Sequence, residues 1–470
     1  MTVINGQTIR EAGVGSWIAP VCSSETPSPT SAYTRGACPS LSTPMMTGDG
    51  LLVRLRPATA GLTLSQMRLL AEAAARRGNG IIEITARGNL QLRGLKAQTV
   101  QALSEDIDRA RIIPETGVAI ETGPLSGIDP QEIADARDMA AALRKAIVAL
   151  EAPLVVAPKL AIIIDGGGLL GLDAVSADIR LKAVRSSAGM PDWIIAIGGT
   201  GRSARFLGTI SCARVVPAVL DLLKVLASRG PRARGRQLDA TAIGHLFSRA
   251  GGPPTYSKRE QSPVGLHRLA AGRVALGLRL SFGQIRAADL IAFADLVGSY
   301  GAKEVRMAAG HAMLLLGLTE DAAKAAKLAA ANFGLCADPA DPASHIATCA
   351  GAGACASGFY ETKAAATELL NAGREFLDGS IRVHFSGCPK GCAHPSPAAL
   401  TVVGTPTGYG LVVNGVASAA PLAYIGTNDL PSALRGIARL VHDKKEAGES
   451  ANRCLKRLTA DDIVTALQQG

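Results

Sequence analysis

Cys349-Ala-Gly-Ala-Gly-Ala-Cys355, and after it Gly387-Cys388-Pro-Lys-Gly-Cys392-Ala-His394, form the stretch on which the reading of this chain turns. Four of its nine cysteines stand here as a C-x5-C pair and a C-x3-C pair, each in a glycine-rich loop. Thiolates converging from two loops can enclose an iron–sulfur cluster. Glycine lets the backbone come close to the inorganic sulfurs and aim N–H groups at them. A helix expected over residues 360–377 follows Cys355, and its positive end favours a thiolate. Three plainer readings compete. A disulfide pair needs an oxidising compartment, and nothing marks the chain as secreted. A structural zinc site usually uses tighter C-x2–4-C knuckles. Unrelated core cysteines pack as small hydrophobes. The paired glycine loops favour a 4Fe–4S cluster on Cys349, Cys355, Cys388 and Cys392.

Outward from that stretch, 470 residues exceed what one core can organise, so three or four domains are expected. The net charge of +10 points to an anionic partner: nucleic acid, a membrane surface or a small polyanion. Aromatics at 3% leave few platforms for stacking nucleic-acid bases. No apolar run reaches about 18 residues, so no membrane-spanning helix is expected. Residues 1–29 lack an export signal and read as a loosely ordered lead-in. Cys22, Cys38, Cys212, Cys336 and Cys454 show no metal spacing. A reducing compartment, the cytoplasm, is expected.

Residues 51–56 read as a strand with Arg54 and Arg56 on one face. Apolar residues at helical spacing predict a helix over 64–76, ended by Gly78 and Gly80. From Ile84 to Arg93 the alternation has period two, predicting a ten-residue strand. Thr85, Arg87, Asn89, Gln91 and Arg93 would share its polar face. Such a face is either washed by solvent or lines an anion cavity with its guanidinium groups set for carboxylates.

A weaker copy follows. A helix is expected over 284–297, ended by Gly301, and a strand runs from Glu304 into His311. Gly301 sets on Gly78 with an offset of 301 − 78 = 223, and the loop from Thr348 sets on that from Thr122 with 348 − 122 = 226. Two matches at nearly one offset predict a duplication. Only the second copy can hold a cluster, because Gly123 and Asp129 stand at the first cysteine pair's positions. A helix over 131–150 and a strand over 159–165 are expected in the first copy. The strand expected over 381–385 delivers the second cysteine loop. The arginine-bearing stretch 228–236 reads as a solvated linker, and residues 251–263 as the boundary between copies.

On these residues the chain resembles the sulfite/nitrite reductase superfamily, and within it the precorrin-3B synthase family. The residues that carry the resemblance are Arg35-Gly-Ala-Cys-Pro39, Gly48-Asp-Gly-Leu-Leu-Val-Arg-Leu-Arg56, Thr85-Ala-Arg-Gly-Asn-Leu-Gln91 and the two cysteine loops. The resemblance implies an α+β, duplicated reductase-like fold. Two ferredoxin-like half-domains, residues 35–112 and 263–326, would form one platform flanked by α/β domains over 113–250 and 327–470, with residues 1–34 as the lead-in. It implies a 4Fe–4S cluster, with Cys392 bridging to sirohaem in the reductases. The synthases are understood to work without sirohaem, so the ancestral cofactor pocket would take the tetrapyrrole substrate. Arg54, Arg56, Arg87, Asn89, Gln91, Arg93 and Lys390 would bind it.

What the resemblance implies for activity is O2-dependent hydroxylation of precorrin-3A at C20 with γ-lactone formation, in cobalamin synthesis. No G-x-G-x-x-G fingerprint follows a strand, so an external electron donor, such as an NADH-dependent reductase, is expected. A mononuclear non-haem iron is also implied; spacing shows no two-His-one-carboxylate set, and His311, His384 and His394 are the nearest candidates. No nucleic-acid or membrane partner is expected. The alternative is a sirohaem-dependent sulfite or nitrite reductase. Against it, Gly117-Val118, Ala161 and Ala308-Ala-Gly-His311 stand where reductases carry basic residues above the iron.

Overall fold

The computed structural model describes residues 3–4, 7–8, 39–186, 189–244 and 261–469. They fall in two units, residues 1–34 and 35–470. In the first, β1 (Val3–Ile4) pairs antiparallel with β2 (Gln7–Thr8). The rest of the expected lead-in, the residues 35–38, and 251–260 of the expected boundary lie outside the described residues.

In the second unit β3 (Met45–Thr47) and β4 (Gly50–Leu55) form a hairpin. Next β5 (Leu62–Thr63) leads into α1 (Leu64–Arg77). The Thr63 hydroxyl accepts the Gln66 N–H while the Gln66 side chain accepts the Thr63 N–H, so two orphan donors are satisfied at once. α1 buries Met67, Leu70, Ala71 and Ala74, the stripe its spacing predicts. β6 (Ile81–Ile84), β7 (Leu90–Leu95) and α2 (Ala97–Arg109) follow.

The ten-residue strand expected over 84–93 is therefore two strands and a turn. Thr85 N–H bonds to the Asn89 carbonyl and Gly88 N–H to the Thr85 carbonyl, at 2.9 and 2.8 Å. Gly88 sits at φ +81°, which an L side chain rarely adopts. The alternation survives the reversal because Ile84 and Leu90 face each other across it.

A second sheet is built from β8 (Ala119–Thr122), β9 (Ala161–Asp165), β10 (Ala177–Val184), β11 (Asp192–Gly199) and β12 (Arg205–Ser211), with α3 (Ala136–Val148) between β8 and β9 and α4 (Cys212–Ser228) after β12. The order is β12-β11-β10-β9-β8, with β8, β9 and β10 parallel and the rest antiparallel. Trp193, Ile195, Leu222 and Leu223 sit in its core. α3 is shorter than the helix expected over 131–150, because the Asp129 carboxylate takes the Gln131 N–H and holds the preceding residues in a turn. The stretch 228–236 is not a bare linker either. Arg234 makes two 2.8 Å bonds to Asp178, a residue only 3% exposed. A carboxylate that deep requires a counter-charge. The short α5 (Ala240–Ile243) follows.

The pattern then repeats: β13 (Gly265–Arg268), β14 (Val274–Leu280), β15 (Gln284–Arg286), α6 (Ala287–Ser299), β16 (Glu304–Ala308), β17 (Ala312–Leu318), α7 (Glu320–Ala330) and β18 (Leu335–Cys336). After them come β19 (Ile346–Thr348), α8 (Thr362–Ala372), β20 (Val383–Ser386), β21 (Ala398–Thr405), β22 (Gly408–Gly415), β23 (Ala423–Gly426), α9 (Leu430–Lys444), α10 (Ala451–Arg457) and α11 (Ala460–Gln469). The sheet order β19-β20-β21-β22-β23 matches β8 to β12 strand for strand, and the pairing directions match too. α6 follows α1 by 287 − 64 = 223 residues, and β20 follows β9 by 383 − 161 = 222. The duplication holds through both copies.

Two expectations in the second copy change. Residues 284–286 are strand rather than helix, and β16 ends at Ala308 in a turn, with His311 at φ +63°. The first change has a cause in the pairing. β15 joins the first copy's sheet beside β6, and β5 joins the second copy's sheet beside β16. Each half lends the other an edge strand.

Candidate functional site

β19 and β20 run parallel side by side, so the loops leaving their C-terminal ends open on the same edge of the sheet. One carries Cys349 and Cys355, the other Cys388 and Cys392. The loops are pinned together. Gly387 N–H donates to Cys349 Sγ at 3.1 Å, and Phe359 N–H to the Gly387 carbonyl at 2.9 Å. A Cβ on Gly387 would stand 3.2 Å from Gly358 Cα and 3.4 Å from Cys349 Sγ, so the close approach depends on glycine. Burial, and then the fields of Cys388, Cys349 and Cys355, push the Cys392 thiol above its ordinary value. The four sulfurs thus feel one another. Among the described residues no group of three or more His, Cys, Asp or Glu side chains is placed to hold a metal ion.

The polar face of the first sheet lies against these loops. Arg93, 5% exposed, holds Asp49 through two 3.0 Å bonds, Glu83 at 3.4 Å and the Ala354 carbonyl at 2.5 Å. A Cβ on Gly48 would meet the Cys355 backbone at 3.0 Å. Arg54 donates to Gln91 at 3.0 Å, and Gln91 in turn bonds Glu83.

Arg87 stands at the hairpin tip instead. It makes bonds of 3.0 and 2.9 Å to the Glu121 carboxylate and one of 2.7 Å to the Ser176 carbonyl. Arg56 pairs with Glu115. Two cavities meet at Arg87. One of 310 Å³ is lined by Arg56, Asn89, Glu115, Glu121 and Arg144; the other, of 470 Å³, by Ser176, Arg279 and Gly310. Lys390 is exposed, its Nζ on Ser357 Oγ at 2.8 Å, and lines neither.

The expected polar face is therefore split. Gln91 and Arg93 face the cysteine loops, while Arg87 and Asn89 face the cavities. Sequence reasoning missed the carboxylates Asp49, Glu83, Glu115 and Glu121 that already hold these arginines. Asp49 lies in the Gly48–Arg56 motif and Glu83 stands one residue before the strand expected from Ile84, so both were legible as acids. Glu115 and Glu121 arrive from beyond the half-domain and left no local signal.

Of the three histidines, two meet. The rings of His384 and His394 lie 5.8 Å apart. His384 is fully buried with both nitrogens unpartnered, and burial, then the charge of His394, brings it down to about 4. His311 lies elsewhere, its Nδ1 2.7 Å from the Ile84 carbonyl. Among the described residues no carboxylate completes a two-His-one-carboxylate set.

Residues 43–110 match the family model for the nitrite/sulfite reductase ferredoxin-like half domain. Over 441 residues the chain is 49% identical to a precorrin-3B synthase of Sinorhizobium sp, covering 93% of this chain and 95% of that one. The chain belongs to the precorrin-3B synthase family. A ferredoxin–nitrite reductase of Synechococcus elongatus is 26% identical over 76% of the chain and 77% of that protein. The solved structure of NirA from Mycobacterium tuberculosis superimposes with a TM-score of 0.69 at 18% identity, covering 88% of this chain and 84% of that one. The synthase family thus shares the duplicated reductase fold, and the chain is an oxidoreductase of that fold. Among the described residues no helix is long and apolar enough to cross a membrane.

Proposed function

We propose that the chain inserts one oxygen atom from dioxygen at C20 of precorrin-3A, after which the ring A acetate closes a γ-lactone to give precorrin-3B. The other oxygen atom leaves as water, taking two electrons and two protons. The electrons come from an external, nicotinamide-dependent reductase. The observation that carries this reading is the 49% identity to the Sinorhizobium synthase along almost the whole of both chains.

In this reading Cys349, Cys355, Cys388 and Cys392 would hold a 4Fe–4S cluster, which when bound supplies one-electron storage beside the substrate pocket. Arg87 and Arg56 stand at cavities and can exchange Glu121 and Glu115 for substrate carboxylates, with Asn89 adding an amide. Arg93, buried and already holding three acceptors, positions the loop at Ala354. Gln91 and Arg54 extend that network. Lys390, on Ser357 and outside both cavities, is not among these contacts.

The test is turnover. Anaerobically purified protein with a reconstituted cluster is given precorrin-3A, a reductant and isotopically labelled dioxygen, and the pigment is weighed by mass spectrometry. The reading requires one labelled oxygen atom per product. A sirohaem absorption band, with sulfite or nitrite reduction and unchanged precorrin-3A, would sink it.

A further inference from the structure

Two arginines outside the quoted motifs carry the site's unanswered charge. Arg279 interrupts the apolar run of β14, and Arg382 precedes β20, the strand that delivers Cys388. Arg279 Nη1 donates to the Ser344 carbonyl at 2.5 Å, but its Nε is closed to solvent with no partner. Among the described residues neither guanidinium meets a carboxylate. Arg56, Arg87 and Arg93 all do. Guanidinium stays charged in proteins, and half-buried charge without a counter-ion is costly.

The surroundings fit an anion as well. His345 Nε2 is buried and unpartnered. Burial and the fields of Arg382 and Arg279 hold His345 below its ordinary value, and burial and Arg279 do the same to His311. Both rings stay neutral near pH 7 and add no competing charge. Gly310 brings the backbone close, since a Cβ there would stand 3.2 Å from Arg279 Nη2. Arg279 and Gly310 line the 470 Å³ cavity.

We propose that Arg279, on the wall of the 470 Å³ cavity, forms with the neighbouring Arg382, which does not itself line the cavity, a carboxylate-binding subsite that takes one acid side chain of the tetrapyrrole substrate. The identity of the carboxylate's bearer rests on the functional reading above; the anion subsite itself does not. The fork of donors on each guanidinium matches a carboxylate and anchors the macrocycle from the second copy, opposite Arg87 of the first.

The experiment uses the full chain and uroporphyrin III, a stable octacarboxylate tetrapyrrole, with fluorescence quenching as readout. Arg279→Gln and Arg382→Gln should each weaken binding about ten- to hundredfold. Arg279→Lys should recover part of the loss, and the octamethyl ester should bind all forms alike. Glutamine variants that melt like wild type and bind uroporphyrin equally well overturn the subsite. Should those variants fail to fold, the wild type decides: phenylglyoxal must modify Arg279 and Arg382 more slowly when uroporphyrin is present, and equal rates overturn the proposal. If the wild type turns over no precorrin-3A and binds no tetrapyrrole, the functional reading fails. The subsite then stands on citrate protecting the same two arginines, and falls if citrate does not.

Discussion

Replacing Arg93 with Met removes the tie between the first half's sheet and the cysteine loop. In the native chain Arg93 answers two carboxylates, Asp49 and Glu83, whose side chains are 16% and 15% exposed. Breaking a buried pair by deleting one partner costs roughly 3–5 kcal/mol. Asp49 keeps the Thr47 hydroxyl and the Asn79 amide, and Glu83 keeps Gln91, so the lower end, about 3 kcal/mol, is expected. A chain of this size does not unfold in one step, so the assay is local. Hydrogen exchange of the β7 amides should quicken about a hundredfold, the factor that ~3 kcal/mol gives. The pH dependence has a definite sign. Burial acts to raise the Asp49 carboxyl, but bonds from Arg93 and Thr47 and the Arg93 charge hold it below its ordinary value. That stability is present above the unfolded value near 3.9 and lost as pH falls through the folded one. The variant should lose this acid dependence. Exchange within about threefold of wild type would show that the pair carries no such weight.

Gly48→Ala should push the Cys355 backbone, costing about 1–3 kcal/mol of overpacking and shortening the life of a reconstituted cluster in air; an unchanged decay of visible absorbance contradicts the contact. Cys355→Ser should abolish cluster and turnover together, and an intact cluster spectrum would show that the ligand set is wrong. Arg87→Gln should raise KM for precorrin-3A about tenfold or more with the cluster spectrum unaltered, and unchanged KM removes Arg87 from the substrate's partners. His384 is fully buried and falls from 6.5 to about 4, so the unfolded chain binds its proton first. The contribution of His384 to stability is fully present above about pH 6.5 and falls by about 3 kcal/mol toward pH 4. His384→Leu should flatten that window in thermal melts, and a parallel decline would refute the assignment.

The duplication was legible because helix ends and the loops from Thr122 and Thr348 recur at almost one spacing, with Gly78 capping α1 and Gly301 following the cap of α6, although only Gly301 takes a positive φ. The hairpin at Arg87 was not, because an antiparallel turn of suitable length preserves alternation and only Gly88 marks the reversal. The cysteine loops were read from spacing and composition alone, and adjacent parallel strands put them on one edge. The arginines' carboxylates were hidden for a different reason. Sequence alternation reports which face a side chain takes, while Glu115 and Glu121 come from a segment whose approach depends on tertiary packing. The helix expected at residue 284 failed on the same ground: β15 satisfies its backbone on β6, a partner no local propensity reveals.

That lending of edge strands bears on how the chain is made. β6 waits for β15, and 283 − 84 = 199 residues of polypeptide lie between the end of one and the start of the other. At ribosomal speeds of about 5–20 residues per second, the first half leaves an unpaired edge for about 10–40 s. Synthesis therefore holds open, for that interval, a template on which another nascent copy can pair, and expression at lower temperature with chaperones is the condition under which the enzyme should be recovered in quantity.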